Sequence, residues 1–311
     1  YTIIMDLWKK EGYCLLSNII DSNTLNKSTS FLKTIYNAKS SADKDFGSEG
    51  KLEFPTGKII DKITLNESII DIVENLLDDK VLLTQADTWS KYGTNDFSEK
   101  SNNNQRMHMD YGNNSFLHPS SWDNPEAVAA IIYFTDTYKT GGGTRVVPNT
   151  YNTKYLYQPP YTTMPGIQHY KFFNDKQHAE THMQNHGLQV LKFREELYKH
   201  EIELFPTIGD ILFYRLDLWH RGTPVYIDQH RITMNLVWKK KSATWINQWN
   251  PGWSKKMYYS WLEKEFIQMT PKQRSILGVP YIGDKYWTKT TLSHLKARYP
   301  NININPYMSK L

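Results

Sequence analysis

Three short stretches of this 311-residue chain carry side chains of the kinds that bind metals and anions. The first is Arg106-Met107-His108-Met109-Asp110. Residues i and i+2 of a strand point to one face, so His108 and Asp110 can aim an imidazole nitrogen and a carboxylate oxygen at one ion. A lone His-X-Asp is common by chance. The second stretch is Leu218-Trp219-His220-Arg221-Gly222, which follows the apolar run Ile211-Leu212-Phe213. His220 is the candidate third ligand, although by itself it reads equally well as a satisfied histidine beside Trp219. Two histidines and one carboxylate leave coordination positions open for O2 and a bidentate co-substrate, as iron(II) oxygenases require.

The third stretch joins the other two. Arg231 opens the apolar run Ile232-Thr233-Met234-Asn235-Leu236-Val237-Trp238, eleven residues after His220. A guanidinium on an apolar strand is costly unless it meets an anion, and its planar fork suits a carboxylate through two parallel hydrogen bonds. If the metal chelates the 2-oxo acid end of 2-oxoglutarate, Arg231 is placed to hold the distal carboxylate. A rival cluster, His178, His182 and His186, would share one helix face and could bind zinc. It lacks the His-Glu-X-X-His order of zinc proteases, and an ordinary polar helix explains it as well.

These residues need elements to position them. Asp21-Ser22-Asn23 offers N-caps for a helix running to about Ala38, and Glu67–Leu77 carries Ile69, Ile70, Val73, Leu76 and Leu77 at helical spacing. The period then changes. Strands are expected at Val81–Trp89, Arg106–Tyr111, Ala127–Thr135, Ile208–Tyr214 and Arg231–Lys239, with Ser40–Leu52 a loop and Gly141-Gly142-Gly143 a turn into Thr144–Pro148. One helix is expected from Asp175 to Lys199. Many short strands between Gly/Pro turns, with helices at both ends, predict a mainly β fold with flanking helices: a jelly roll, or double-stranded β-helix. The expected organisation is one domain, with a helical part over 1–80, a lid-like insertion over 150–200 and a C-terminal extension over 245–311. Strand phase suggests Trp89, Tyr133, Asn235 and Trp238 as pocket-lining residues.

Composition narrows the function classes. With 39% hydrophobic and 22% charged residues the chain has a globular balance, and its longest apolar runs are too short to span a bilayer. The net charge of +5 is spread, with Lys239–Lys241 the one tight basic run, which disfavours nucleic acid and membrane as partners. A single cysteine, Cys14, fits a reducing compartment, and no signal peptide opens the sequence, so a cytoplasmic location is expected, as monomer or homodimer. The sequons at Asn26, Asn66 and Asn113 are short enough to arise by chance.

The sequence resembles the phytanoyl-CoA dioxygenase family, with its ectoine hydroxylase-like members, along most of its length. The resemblance rests on Glu11-Gly12-Tyr13, His108-X-Asp110, Gly142-Gly143-Thr144-Arg145-Val146-Val147-Pro148, Gly209-Asp210 and the spacing from His220 to Arg231. A tail running from Met269-Thr270-Pro271-Lys272-Gln273-Arg274 through Gly278, Pro280 and Tyr286-Trp287-Thr288 is similar to one branch. It implies an Fe(II)- and 2-oxoglutarate-dependent dioxygenase that uses O2 on a small-molecule substrate, with His108, Asp110 and His220 as ligands. The resemblance further implies that Lys91 helps hold 2-oxoglutarate and that Gln85 faces the substrate. Related halogenating enzymes have Ala or Gly in place of the carboxylate ligand, whereas Asp110 is present here. Two departures stand out: Asn149-Thr150-Tyr151 replaces a usual Gly-Ser-His, and Gly222 stands where relatives often carry Ser. A co-substrate hydrogen bond lost there would pass to Thr144 or Tyr133. The alternatives are a non-enzymatic jelly-roll module that binds a small molecule and, more distantly, a zinc hydrolase built on the His178 cluster.

Overall fold

The computed structural model describes residues 2–37, 52–99, 101–110, 124–151, 174–186, 188–243, 246 and 260–309. The Ser40–Leu52 loop (all but its last residue), Tyr111, Asn113 and the Tyr/Pro-rich start of the insertion lie outside them, as does the side chain of His186.

The helices begin where the sequence offers caps. The first helix, α1 (Thr2–Glu11), leads into β1 (Tyr13–Leu16). The next, α2 (Ser22–Ile35), starts at Asp21, whose carboxylate accepts the Thr24 amide. After the short α3 (Asp61–Thr64), α4 occupies Glu67–Leu77 as its spacing predicts, capped by the Asn66 side chain on the Ile69 amide. Its buried residues Ile69, Ile70, Val73, Leu76 and Leu77 form the stripe that packs on the sheet.

Among the described residues, two antiparallel sheets make the body. The larger has the order β1-β6-β3-β8-β2, where β2 is Val81–Tyr92, β3 Ala127–Tyr133, β6 Ile211–Arg215 and β8 His230–Lys240. The smaller has the order β5-β4-β7, where β4 is Thr144–Val147, β5 Ile202–Leu204 and β7 Trp219–Gly222. This is the expected jelly roll with flanking helices. The larger sheet is two-faced, as period-2 side chains require. Ile232, Met234, Leu236 and Trp238 join Val128, Ala130 and Ile132 in the core under the helices. Their alternates, Ala129, Tyr133, Leu212, Tyr214 and Val237, belong to the core toward the smaller sheet.

Several boundaries differ from expectation. The strand foreseen at Arg106–Tyr111 is reduced to one bridge, His108 with His220. The chain there changes partner at each step: Arg106 N–H goes to the Asn174 carbonyl at 2.8 Å, and Asp110 N–H reaches into the 215–218 turn, to the Leu216 carbonyl at 3.2 Å. The strand foreseen from Ile208 starts at Ile211, because Gly209 is left-handed (φ 91°) and Asp210 closes a turn by accepting from Thr207 N–H at 2.7 Å. Residues 175–199 form two helices, α5 (Lys176–His186) and α6 (Leu188–Lys199), which flank Gly187. Strand β5 was not anticipated. Beyond residue 260 the chain is helical, with α7 (Ser260–Gln268) first.

Candidate metal centre

The smaller sheet and the segment beside it carry the ligand set. His220 sits in β7 opposite Val146 of β4, and His108 pairs with it from the other side. His108 Nε2 lies 3.5 Å from Asp110 Oδ1, and His220 Nε2 lies 3.5 Å from Asp110 Oδ2. Ligand atoms of all three residues fall within 4.8 Å of one another, the one such cluster of three or more among the described residues.

Each imidazole is oriented in the same way. His108 Nδ1 is 3.0 Å from the Arg106 carbonyl, and His220 Nδ1 is 2.9 Å from the Leu218 carbonyl. A carbonyl can only accept, so Nδ1 carries the proton and Nε2 keeps its lone pair for a metal. Burial, with His220 nearby, pulls the His108 imidazole down to about 3, so it is neutral and ready to ligate at ordinary pH. Tyr214 donates to Asp110 Oδ2 at 2.7 Å, and its ring lies tilted 4.8 Å from that of His220. Burial and the Asp110 charge raise its phenol well above the ordinary value, so it remains a donor. No local pattern singles out Tyr214: as an inward residue of an apolar strand it looks like core.

Arg231 is buried at the head of β8 and opposes Lys91 of β2. Its Nη1 donates to the Gly142 carbonyl at 3.3 Å, its buried Nε has no hydrogen-bond partner, and it forms no ion pair among the described residues. A buried guanidinium so placed fits an absent anion. Gly142, left-handed at φ 73°, is required here: a Cβ would stand 3.0 Å from Arg231 Cδ. Tyr133 Oη and Thr144 Oγ1 are 2.6 Å apart, and the Arg231 charge is close enough to act on the phenol, which burial otherwise raises. At Gly222, an added Cβ would lie 3.2 Å from Gln105 Oε1. The Gln105 carboxamide, accepting from Gly222 N–H at 2.8 Å, therefore stands where a side chain at 222 would crowd it.

The wall continues along β2. Gln85, Asp87, Trp89 and Lys91 alternate onto the inner face, opposite Val237, Asn235, Thr233 and Arg231. Asn235, Trp89 and Ile131 are only half-buried on that inner face, which marks them as lining the space between the sheets. Asp87 had not been singled out; it accepts from Gln85 Nε2 at 3.2 Å and from Trp89 Nε1. Lys91 is buried and donates to the Asn103 carbonyl at 2.9 Å. Trp238 corrects the expectation. It is one residue out of phase with Val237 and lies in the core under the helices, opposite Leu83 and Val128. Asn235 and Trp238 are an odd number of positions apart, so they cannot share a face.

The helices of the insertion stand behind the smaller sheet, where Phe193 of α6 meets Trp219 edge-on at 6.1 Å. His178 is engaged with the Phe97 carbonyl at 3.0 Å. Of the insertion expected to be lid-like, residues 152–173 lie outside the described residues.

A jelly roll with two imidazoles and a carboxylate converging, and a buried arginine that has no ion-pair partner among the described residues, defines a non-haem iron(II) oxygenase fold. The chain matches the phytanoyl-CoA dioxygenase family over residues 8–232 and belongs to that family. It is an Fe(II)- and 2-oxoglutarate-dependent dioxygenase, with O2 as oxidant. Among solved structures it is similar to EctD from S. alaskensis, at 12% identity with a TM-score of 0.54 over 80% of each chain. It is also similar to the non-heme alpha ketoglutarate dependent epimerase SnoN from nogalamycin biosynthesis (13% identity, TM-score 0.53, covering 77% of this chain and 80% of that one). The carbocyclase SnoK matches at 12% identity and TM-score 0.53, over 77% and 84%. At such identities the likeness shows the fold alone. No curated protein sequence is matched.

Proposed function

We propose that His108, Asp110 and His220 hold the iron, and that Arg231 anchors the distal carboxylate of 2-oxoglutarate with Lys91, Thr144 and Tyr133 around it. The protein then oxidises an unactivated C–H bond of a small-molecule substrate, by hydroxylation or by oxidative desaturation or cyclisation. The observation that carries this reading is a buried Arg231, with no ion-pair partner among the described residues, on the inner face of the larger sheet, its Nη1 3.8 Å from where a Cβ at Gly222 would stand, two residues past His220 in a ligand set of the right donors.

Iron bound there would supply the redox chemistry: 2-oxoglutarate and one oxygen atom of O2 give succinate and CO2, while the other oxygen enters R–OH or leaves as water with the two hydrogens that the substrate loses. The chain's own residues bind and orient. The Arg106 and Leu218 carbonyls fix the imidazole tautomers, and the Tyr214 hydroxyl holds one oxygen of Asp110. The Arg231 fork sets the direction of the co-substrate, and Gln85, Trp89 and Asn235 present polar and aromatic contacts to the substrate. Fixing both partners in line is what the protein contributes to rate.

Hydroxylation, epimerisation and ring closure are attributed to the three similar structures between them, so the fold does not choose among outcomes. The test is succinate release across a substrate panel, followed by product mass. Gain of one oxygen or loss of two hydrogens, each matched by one succinate, supports the reading. A halogenated product formed in chloride buffer, or turnover without 2-oxoglutarate, sinks it.

A further inference from the structure

Two side chains of α6 reach both of the segments that carry the histidines. Arg194 is fully buried. Its Nη2 donates to the Met107 carbonyl at 2.7 Å, and its guanidinium lies 5.6 Å from the centre of the Trp219 ring. One turn further on, the Tyr198 hydroxyl accepts the Met107 N–H at 3.0 Å, and its ring stands 5.7 Å from the Arg221 guanidinium. Met107 immediately precedes His108, while Trp219 and Arg221 bracket His220. Residues four apart share a helix face, so one face of one helix grips both metal-bearing segments from behind.

Glu180 of α5 completes the arrangement. Its Oε1 accepts from Arg194 Nε at 3.1 Å, from Arg194 Nη2 at 3.0 Å and from the Tyr198 hydroxyl at 3.0 Å. Because Tyr198 gives its proton to Glu180, its oxygen lone pairs are free to face the Met107 amide. Arg106 adds a second guanidinium to the same carbonyl at 3.3 Å. Burying a cation that cannot shed its proton is expensive even when it is paired. An aliphatic side chain would fill this core position more cheaply. What it could not do is hold the N–H and the C=O of one peptide in place.

We propose that Arg194 and Tyr198 are positioning residues of the metal centre. By fixing both polar groups of Met107, they hold the segment of His108 in the main-chain pairing with His220 that spaces the two imidazoles, before a metal arrives. The insertion thereby serves the metal site as a buttress. This rests on the assignment of His108, Asp110 and His220 as ligands.

The test titrates Co(II), a spectroscopically visible substitute for Fe(II), into metal-free wild type, Tyr198→Phe and Arg194→Lys. Tyr198→Phe removes one hydroxyl and is expected to fold, while Arg194→Lys keeps the charge but lacks the fork that serves Glu180 and Met107 together. Each variant is expected to raise the Co(II) dissociation constant about tenfold, the low end for residues that orient ligands, and to change the ligand-field absorption of the bound ion. Asn66→Ala, which removes the cap of α4 beyond the larger sheet, should lower the melting temperature and leave both readouts alone. Wild-type affinity and spectrum in Tyr198→Phe would overturn the proposal, as would an equal loss in Asn66→Ala, which would mark general destabilisation. If wild type binds no Co(II), or His108→Ala binds it equally well, the ligand assignment itself has failed.

Discussion

His108 and His220 donate their backbone N–H groups to each other's carbonyl oxygens, both at 3.0 Å. In antiparallel pairing such a reciprocal couple places the two side chains on the same side, with Cα atoms about 5.5 Å apart. The ring centroids are accordingly 4.4 Å apart. The separation of two of the three ligands is therefore fixed by main-chain geometry, and Asp110 needs only to reach back from two residues further along.

Arg231 should decide co-substrate affinity. Arg231→Ala is expected to raise the KM for 2-oxoglutarate by about two orders of magnitude, in line with about 2–5 kcal/mol for truncating one partner of a buried charge pair. Arg231→Lys should recover only part, since a point charge lacks the fork. Gly142→Ala should act in the same direction without touching the arginine, because its Cβ would press on Arg231 Cδ. Steady-state kinetics in 2-oxoglutarate check all three, and an unchanged KM in Arg231→Ala refutes the anchor.

Acid should destabilise the metal-free protein through His108. Its folded value of about 3 lies below the ordinary 6.5. Between these values the unfolded chain binds a proton that the folded chain does not, so stability falls as pH drops from 6.5 toward 3 and is regained above 6.5. Melting temperatures of the metal-free wild type over that range should fall more steeply than those of His108→Asn. Parallel curves would contradict the depressed value.

Cys14 should be silent in the native state. It is buried in β1 opposite Phe213, and burial pushes its thiol up to about 12. Almost no thiolate exists at neutral pH, and the thiolate is the reactive form. A thiol reagent at pH 7 should label the single cysteine only after denaturant is added. Prompt labelling of the folded protein would show that β1 opens.

Much of this was legible in the sequence because local rules sufficed. The 3.6-residue spacing of Glu67–Leu77 gives its helix to the residue, and the alternation of β8 places Arg231 and Asn235 on one wall. The same rule, applied loosely, put Trp238 beside Asn235, where phase forbids it. What stayed hidden joins distant positions. Tyr214 reaches Asp110 across 104 residues, and Arg194 reaches Met107 across 87. Neither contact leaves a local pattern, and each residue alone resembles ordinary core or surface. The hydrogen bond from Gly222 N–H to Gln105 is of the same kind, a contact across 117 residues visible only once the two segments are side by side.

The central claim is that His108, Asp110 and His220 bind iron in a form that accepts 2-oxoglutarate. Anaerobic titration of Fe(II) into metal-free protein with 2-oxoglutarate present, followed by the visible charge-transfer absorption of the chelate, measures this directly. The account predicts saturation at one iron per chain in wild type, no chelate absorption in His108→Ala or His220→Ala, and weakened binding with altered absorption in Asp110→Ala, where both geometry and balancing charge are lost. Full chelate absorption at the same stoichiometry in either histidine variant would contradict it.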